Sequence, residues 1–252
     1  MKKILIVMLV VVLTLLLPLA AFAQETDTEL EGYVTEIVDG GFVMEDKELG
    51  EIMLNTSEET VWDGVLIDGE LEEGMYVIVH YDGRTTRSLP PQAHADRVGC
   101  YVLSGTVSEF LATGILLTGD ELFGDVIVQF EGDFPHVYLN VPITVYYDGV
   151  MALSLPGRVT ARALEVPELT GVVSEKTEES FLLTDENGQE YHVNLSEGTL
   201  FTATPSPEAL TEEIVPAPVE WADGDTVTVY YSGAMTRSLP PQLTALEVQL
   251  QR

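Results

Sequence analysis

Four histidines (His80, His94, His136 and His192) and a single cysteine, Cys100, are the side chains of this chain best suited to nucleophilic or acid–base work. A hydrolase holds a nucleophile against a base, or sets paired carboxylates in a cleft. No spacing links these histidines to a serine or to Cys100, and His80 and His192 fall inside alternating strand patterns. The chain has no H-E-x-x-H, no cysteine pair and no two-His-one-carboxylate pattern, so zinc and iron lack sequence support. It has neither G-x-G-x-x-G nor a P-loop to cradle phosphate. With 42 Asp and Glu, neighbouring carboxylates arise by chance and prove nothing. The chain is read as non-enzymatic.

Two ligand chemistries are left. Calcium takes hard oxygen ligands, and acids cluster at Asp120, Glu121 and Asp125, at Asp185-Glu186-Asn187, and at Asp223 with Asp225. None of these fits an EF-hand loop, and each lies where a hairpin turn places polar residues anyway. The other chemistry is a face of Tyr and Arg. Arg87 and Arg237 both precede Ser-Leu-Pro, Leu153 takes their place in between, and Tyr81, Tyr147 and Tyr231 stand at matching strand ends. Arg beside Tyr suits a carboxylate or a sugar ring; the alternative buries Tyr and pairs Arg locally. Trp62 and Trp221 read as core or interface residues.

The elements that must carry these residues repeat three times. A unit L-x-G-x-V-x-E opens at Leu30, Leu103 and Leu169, at spacings of 73 and 66 residues. A second pattern closes each unit: Val79-His80-Tyr81-Asp82-Gly83, Val145-Tyr146-Tyr147-Asp148-Gly149 and Val229-Tyr230-Tyr231-Ser232-Gly233. Ser-Leu-Pro follows at Ser88, Ser154 and Ser238. Two patterns recurring in order three times indicate duplication. Within units the hydrophobic period is 2, as strands require. Asn187-Gly188 marks a hairpin between Phe181-Leu182-Leu183-Thr184 and the Tyr191, Val193, Leu195 alternation. Only Glu208 to Ile214 suggests a turn of helix.

Five short strands per unit with Gly-rich turns predict an all-β chain of three tandem small barrels, with a sandwich across units as the alternative. The expected domains are residues 24–100, 101–167 and 168–252. A lone barrel of this size buries little of its surface, so the units should pack end to end, joined by linkers as short as Ala163 to Glu168. The proline-rich stretch from Ala203 to Pro218 reads as an excursion. These motifs, G-x-V-x-E, V-x-Y-x-G and S-x-P-x-Q, resemble OB-type domains of unknown function in secreted and lipid-anchored proteins of Gram-positive bacteria. Units one and three match with Ser88-Leu89-Pro90-Pro91-Gln92 and Ser238-Leu239-Pro240-Pro241-Gln242, whereas unit two has Gly157 and Arg158 in place of the second Pro and the Gln. The resemblance implies an OB-like fold and no particular activity.

Lys2-Lys3, the apolar run from Ile4 to Leu17, and Ala21-Phe22-Ala23 form a signal peptide over residues 1–23. If uncleaved, residues 4–23 are long enough to anchor the chain in a membrane. Beyond residue 23, nine bases face 42 acids, a formal charge of −33. That charge repels nucleic acid and anionic membrane. One cysteine allows no internal disulfide: Cys100 is either a small buried hydrophobe or the link of a dimer, and a monomer is expected. The resulting expectation is an exported binding or scaffolding protein of the cell envelope. Its ligand would be a glycan, a cationic protein or calcium, and the alternative is a spacer without ligand.

Overall fold

The computed structural model describes residues 28–67, 69–131, 136–204 and 220–251. The predicted signal peptide, the turn at Glu208–Ile214 and nearly all of the proline-rich stretch lie outside them. The described residues form eighteen strands and no helix. Unit one holds β1 (Thr28–Val38), β2 (Gly41–Asp46), β3 (Gly50–Asn55), β4 (Val61–Gly64), β5 (Tyr76–Tyr81), β6 (Gln92–His94) and β7 (Arg97–Cys100). Unit two holds β8 (Val102–Leu111), β9 (Gly114–Asp120), β10 (Gly124–Phe130), β11 (Pro142–Tyr147) and β12 (Gly157–Glu165). Unit three holds β13 (Glu168–Ser174), β14 (Ser180–Thr184), β15 (Glu190–Asn194), β16 (Leu200–Ala203), β17 (Thr226–Tyr231) and β18 (Gln242–Leu250).

Unit two is a closed barrel in the order β8-β9-β10-β12-β11. Its third and fifth strands pair parallel, Val128 opposite Val159, and the other pairings are antiparallel. Unit three closes the same way: β15 pairs parallel with β18, and β17 returns to β13. In unit one the closing strand is broken between β6 and β7. There Ala95 N–H donates to Asn55 O and Asp96 N–H to His80 O, so the ring of bonds continues through the break. Each unit is thus an OB-like five-stranded barrel, and the cross-unit sandwich is set aside. Two short strands add to the expected five: β4 lies beside β7, and β16 beside β18.

The opening motif encodes barrel geometry. A Cβ on Gly32 would stand 1.8 Å from Glu45 O, and one on Gly171 2.4 Å from Thr184 O. Glycine therefore lets the first two strands of a barrel cross closely. The x of V-x-E is a bulge residue in two units, because the ladder skips Thr35 and Ser108. Their hydroxyls donate to Val43 O and Leu116 O across the skipped position. A bulge adds the twist that closing so small a sheet requires.

Each barrel has its own core, built by the alternation seen in the sequence: Phe42, Met44, Ile52 and Leu54; Leu103, Ile115, Leu117 and Val128; Phe181, Leu183, Val193 and Val229. The units also pack on one another. β12 extends to Glu165 because Ala163 and Leu164 pair with Tyr146 and Val145. The expected linker from Ala163 to Glu168 thus shrinks to Val166 and Pro167, and Tyr101 alone joins units one and two. At the first junction the rings of Tyr33 and Tyr76 lie 5.0 Å apart, and those of Tyr76 and Tyr146 5.5 Å. Arg162 reaches Glu29, Glu31 and Asp148 at 3.6–3.7 Å.

Candidate binding turns

The Ser-Leu-Pro segment connects the fourth and fifth barrel strands: β5 to β6, β11 to β12, and β17 to β18. Its form recurs in each unit. A backbone bond spans six residues, from Thr86 N–H to Gln92 O, Ala152 to Arg158, and Thr236 to Gln242, at 2.8–2.9 Å. The serine hydroxyl donates to the carbonyl of the proline two residues on, at 2.7, 2.6 and 2.8 Å for Ser88, Ser154 and Ser238. In units one and three a threonine hydroxyl also accepts the glutamine N–H, Gln92 to Thr86 and Gln242 to Thr236. The Leu–Pro peptide is cis in all three.

These bonds leave the leucine between Ser and Pro standing in water. Leu89, Leu155 and Leu239 are 97%, 102% and 94% exposed. Serine and proline build the turn, but the leucine touches almost nothing in it. Unit two adds Leu153 and Val150, also exposed. Arg87, Arg158 and Arg237 are exposed on the same turns, and among the described residues none of them makes an ion pair. Elsewhere Lys47 is tied to Glu31, Arg97 to Asp63 and Arg162 to three acids, while Lys176 lies 4.6 Å above the Trp221 ring. Uncommitted positive charge is therefore gathered where apolar side chains protrude.

Other sequence-predicted residues do not join this site. Tyr81, Tyr147 and Tyr231 are buried in the three cores, so the expected Tyr–Arg face does not form. Burial holds each phenol above its ordinary value, with nearby carboxylates adding to it at Tyr81 and Tyr147 and Tyr191 at Tyr231. Asp120 and Asp185 are hairpin caps with a third counterpart, Asp46. One oxygen of each takes two turn N–H groups: Glu48 and Leu49, Leu122 and Phe123, Asn187 and Gln189. Asp223 accepts from Lys176 N–H and Asp225 from Ala222 N–H. Asp125 is exposed. Among the described residues no three His, Cys, Asp or Glu side chains gather to hold a metal.

Cys100 is 2% exposed, and burial, then the charge of Glu165, push its thiol up to about 11. A Cys100-linked dimer is therefore set aside, since the sulfur has no route to a partner. Trp62 packs against the first core, and Trp221 meets Phe181 edge-on at 5.0 Å. A groove of about 720 Å³ runs along β8, β9 and β11, with Asp120, Glu121 and Glu165 on its wall but no histidine, cysteine or lysine.

The polar centre that sequence reasoning missed lies between units two and three. Glu247 of β18, 5% exposed, accepts hydrogen bonds from Tyr138 and Thr202, and a ring nitrogen of His136 stands 3.0 Å away. His136 stacks on Tyr230 at 3.9 Å. The only sequence signal was Glu247 in the inward-alternating part of a strand.

No protein-family model matches the chain, and no curated protein does. Solved structures similar to it include the following two. One is a multidomain protein with nucleic acid binding domains from Streptococcus pneumoniae TIGR4, 11% identical, covering 86% of this chain and 72% of that one, TM-score 0.19. The other is Drosophila Unr CSD456, 11% identical, covering 88% and 97%, TM-score 0.20. The nucleic acid binding domains of the first run against two expectations from the sequence: an envelope protein for glycan, cationic protein or calcium, and the exclusion of nucleic acid. Both are withdrawn. At TM-scores this low, the functional reading has to come from the chain's own side chains.

Proposed function

We propose that the chain is an exported, non-catalytic tandem-barrel protein that holds its partner at three points, one Ser-Leu-Pro turn per barrel. The observation that carries this reading is the recurrence of a fully exposed leucine on all three turns, two residues after an uncommitted arginine in units one and three and three residues before Arg158 in unit two. In OB barrels the loop between the fourth and fifth strands flanks the ligand face. One exposed leucine needs no explanation, but its return at the same place in three turns, without a role in the fold, is accounted for by contact with a partner. The partner offers phosphate or carboxylate groups next to apolar surface. The basic start, apolar run and Ala21-Phe22-Ala23 support export, as does the likeness of the repeat motifs to those of secreted Gram-positive proteins.

The test uses residues 24–252, which carry all eighteen strands, and a variant with L89S, L155S, L239S, R87Q, R158Q and R237Q together. Two probes are offered: a labelled 30-nucleotide single-stranded DNA, read by anisotropy, and phosphatidylcholine vesicles, read by flotation. The expected result is that the parent binds at least one probe and the variant binds it at least tenfold more weakly. A parent that ignores both, or a variant that binds as well as the parent, refutes the reading.

A further inference from the structure

We infer that the three turns take hold of a zwitterionic phospholipid bilayer, the leucines entering the hydrocarbon edge and the arginines meeting lipid phosphate. This rests on the reading of the turns as binding points. The composition of the crowns supports it first. Residues 82–92, 148–158 and 232–242 contain no aromatic side chain, whereas proteins that hold single-stranded nucleic acid stack its bases on aromatic rings. What the crowns do present is aliphatic: Leu89, Leu155 and Leu239, with Val150 and Leu153 in unit two exposed by 69% and 102%.

Unit two separates what the turn needs from what it presents. Relative to units one and three it has Ala152 for threonine, Leu153 for arginine and Gly157 for the second proline. Ser154, Leu155 and Pro156 are kept. Ser154 and Pro156 are explained by the hydroxyl-to-carbonyl bond; Leu155 is explained by nothing inside the protein. Where the arginine gave way, an aliphatic residue replaced it, and Arg158 took up a position three residues past the leucine.

Charge narrows the partner further. The chain carries a formal charge of −31. A phosphocholine surface carries phosphate without net charge, so the arginines find their group and the protein meets no opposing field. Arginine suits this place because its planar fork pairs with phosphate while its stem lies along apolar surface. Position agrees: the base of the first turn packs on the start of β1, where a Cβ on Gly83 would stand 3.0 Å from Thr28 Oγ1. Four residues separate Thr28 from Ala23, the end of the candidate anchor. Five residue steps span at most about 18 Å of chain. An uncleaved run would therefore keep the first crown at the membrane surface.

The experiment is flotation of residues 24–252 with phosphatidylcholine vesicles at 50 and 500 mM salt, with L89S/L155S/L239S beside the parent. Each leucine-to-serine change is expected to weaken partitioning roughly tenfold, so the triple variant stays with the free protein while the parent floats at both salt concentrations. Unchanged melting curves show that the variant is folded. A parent that does not float, or a triple variant that floats equally well, overturns the bilayer. If vesicles are ignored but the 30-nucleotide DNA binds the parent and not the six-substitution variant, the bilayer falls while the turns stand as binding points. If neither probe binds, both readings fall.

Discussion

Replacing Glu247 with Gln changes one charge and almost no volume at the contact between the second and third barrels. The native carboxylate takes hydrogen bonds from Tyr138 of unit two and Thr202 of unit three, beside the His136 ring. Burial pushes this carboxyl up, but those three partners and the charge of His136 outweigh it and bring it below the usual 4.5. A hydrogen bond to a charged group contributes about 1.5–3 kcal/mol against about 1 for a neutral one. Gln keeps one acceptor and turns an amide N–H₂ toward a donor, so E247Q should cost about 2 kcal/mol near neutral pH. For two barrels melting together, that lowers the midpoint by about 4–8 °C. Because the folded value is depressed, the stabilisation is complete above 4.5 and is lost as pH falls through the folded value. Calorimetry from pH 7 to pH 3 should therefore show parent and variant converging at the acid end, with the other carboxylates, Glu168 beside Tyr230 included, cancelling in the difference. A midpoint difference under one degree at pH 7, or one that widens as pH falls, refutes the reasoning.

Three further outcomes follow from the packing. L89S, L155S and L239S should each move stability by less than about 0.5 kcal/mol in urea melts, since side chains this exposed have no contacts to lose. Phe181→Ala should cost about 3–5 kcal/mol, because Phe181 is 1% exposed and carries Trp221 against its edge. Cys100 should resist iodoacetamide at pH 8 in the native chain and react on addition of denaturant. Burial keeps its thiol both protonated and out of reach, and rapid native alkylation would contradict the placement.

The barrels were legible because their code is local. Alternation in Val227-Thr228-Val229 and in Phe181-Leu182-Leu183 places side chains inside and outside the barrel without knowledge of the partner strand, and Gly83, Gly149 and Gly233 mark the ends of the fourth barrel strands. The short strands Val61-Trp62-Asp63-Gly64 and Leu200-Phe201-Thr202-Ala203 were missed because four residues show no period. Their place depends on a free edge of the closing strand. The Tyr–Arg face failed for a different reason. Residues adjacent along a repeat, such as Tyr81 and Arg87, lie on opposite sides of the barrel wall, one filling the core and the other in solvent. Glu247 and His136 are 111 residues apart, and no local pattern signals their meeting. Asp120 and Asp185 were visible as acids in turns, but only their backbone partners distinguish a hairpin cap from a cation ligand.

The parallel pairing that seals each barrel imposes an order on how the chain can be made. β3 waits for β6, β10 for β12 and β15 for β18, and each awaited strand belongs to the closing strand of its barrel, which β7 completes in unit one. A barrel therefore cannot seal until its final residues have emerged, whether from a ribosome or on the far side of a membrane. Until then its third strand carries an open edge and its core faces water, the condition in which β proteins associate wrongly. Because one residue separates the first barrel from the second and two separate the second from the third, each barrel seals just as the next begins to emerge. The exposed interval is thus limited to one barrel's length at a time, and a chain threaded from its N-terminus passes through three short periods of risk instead of one long one.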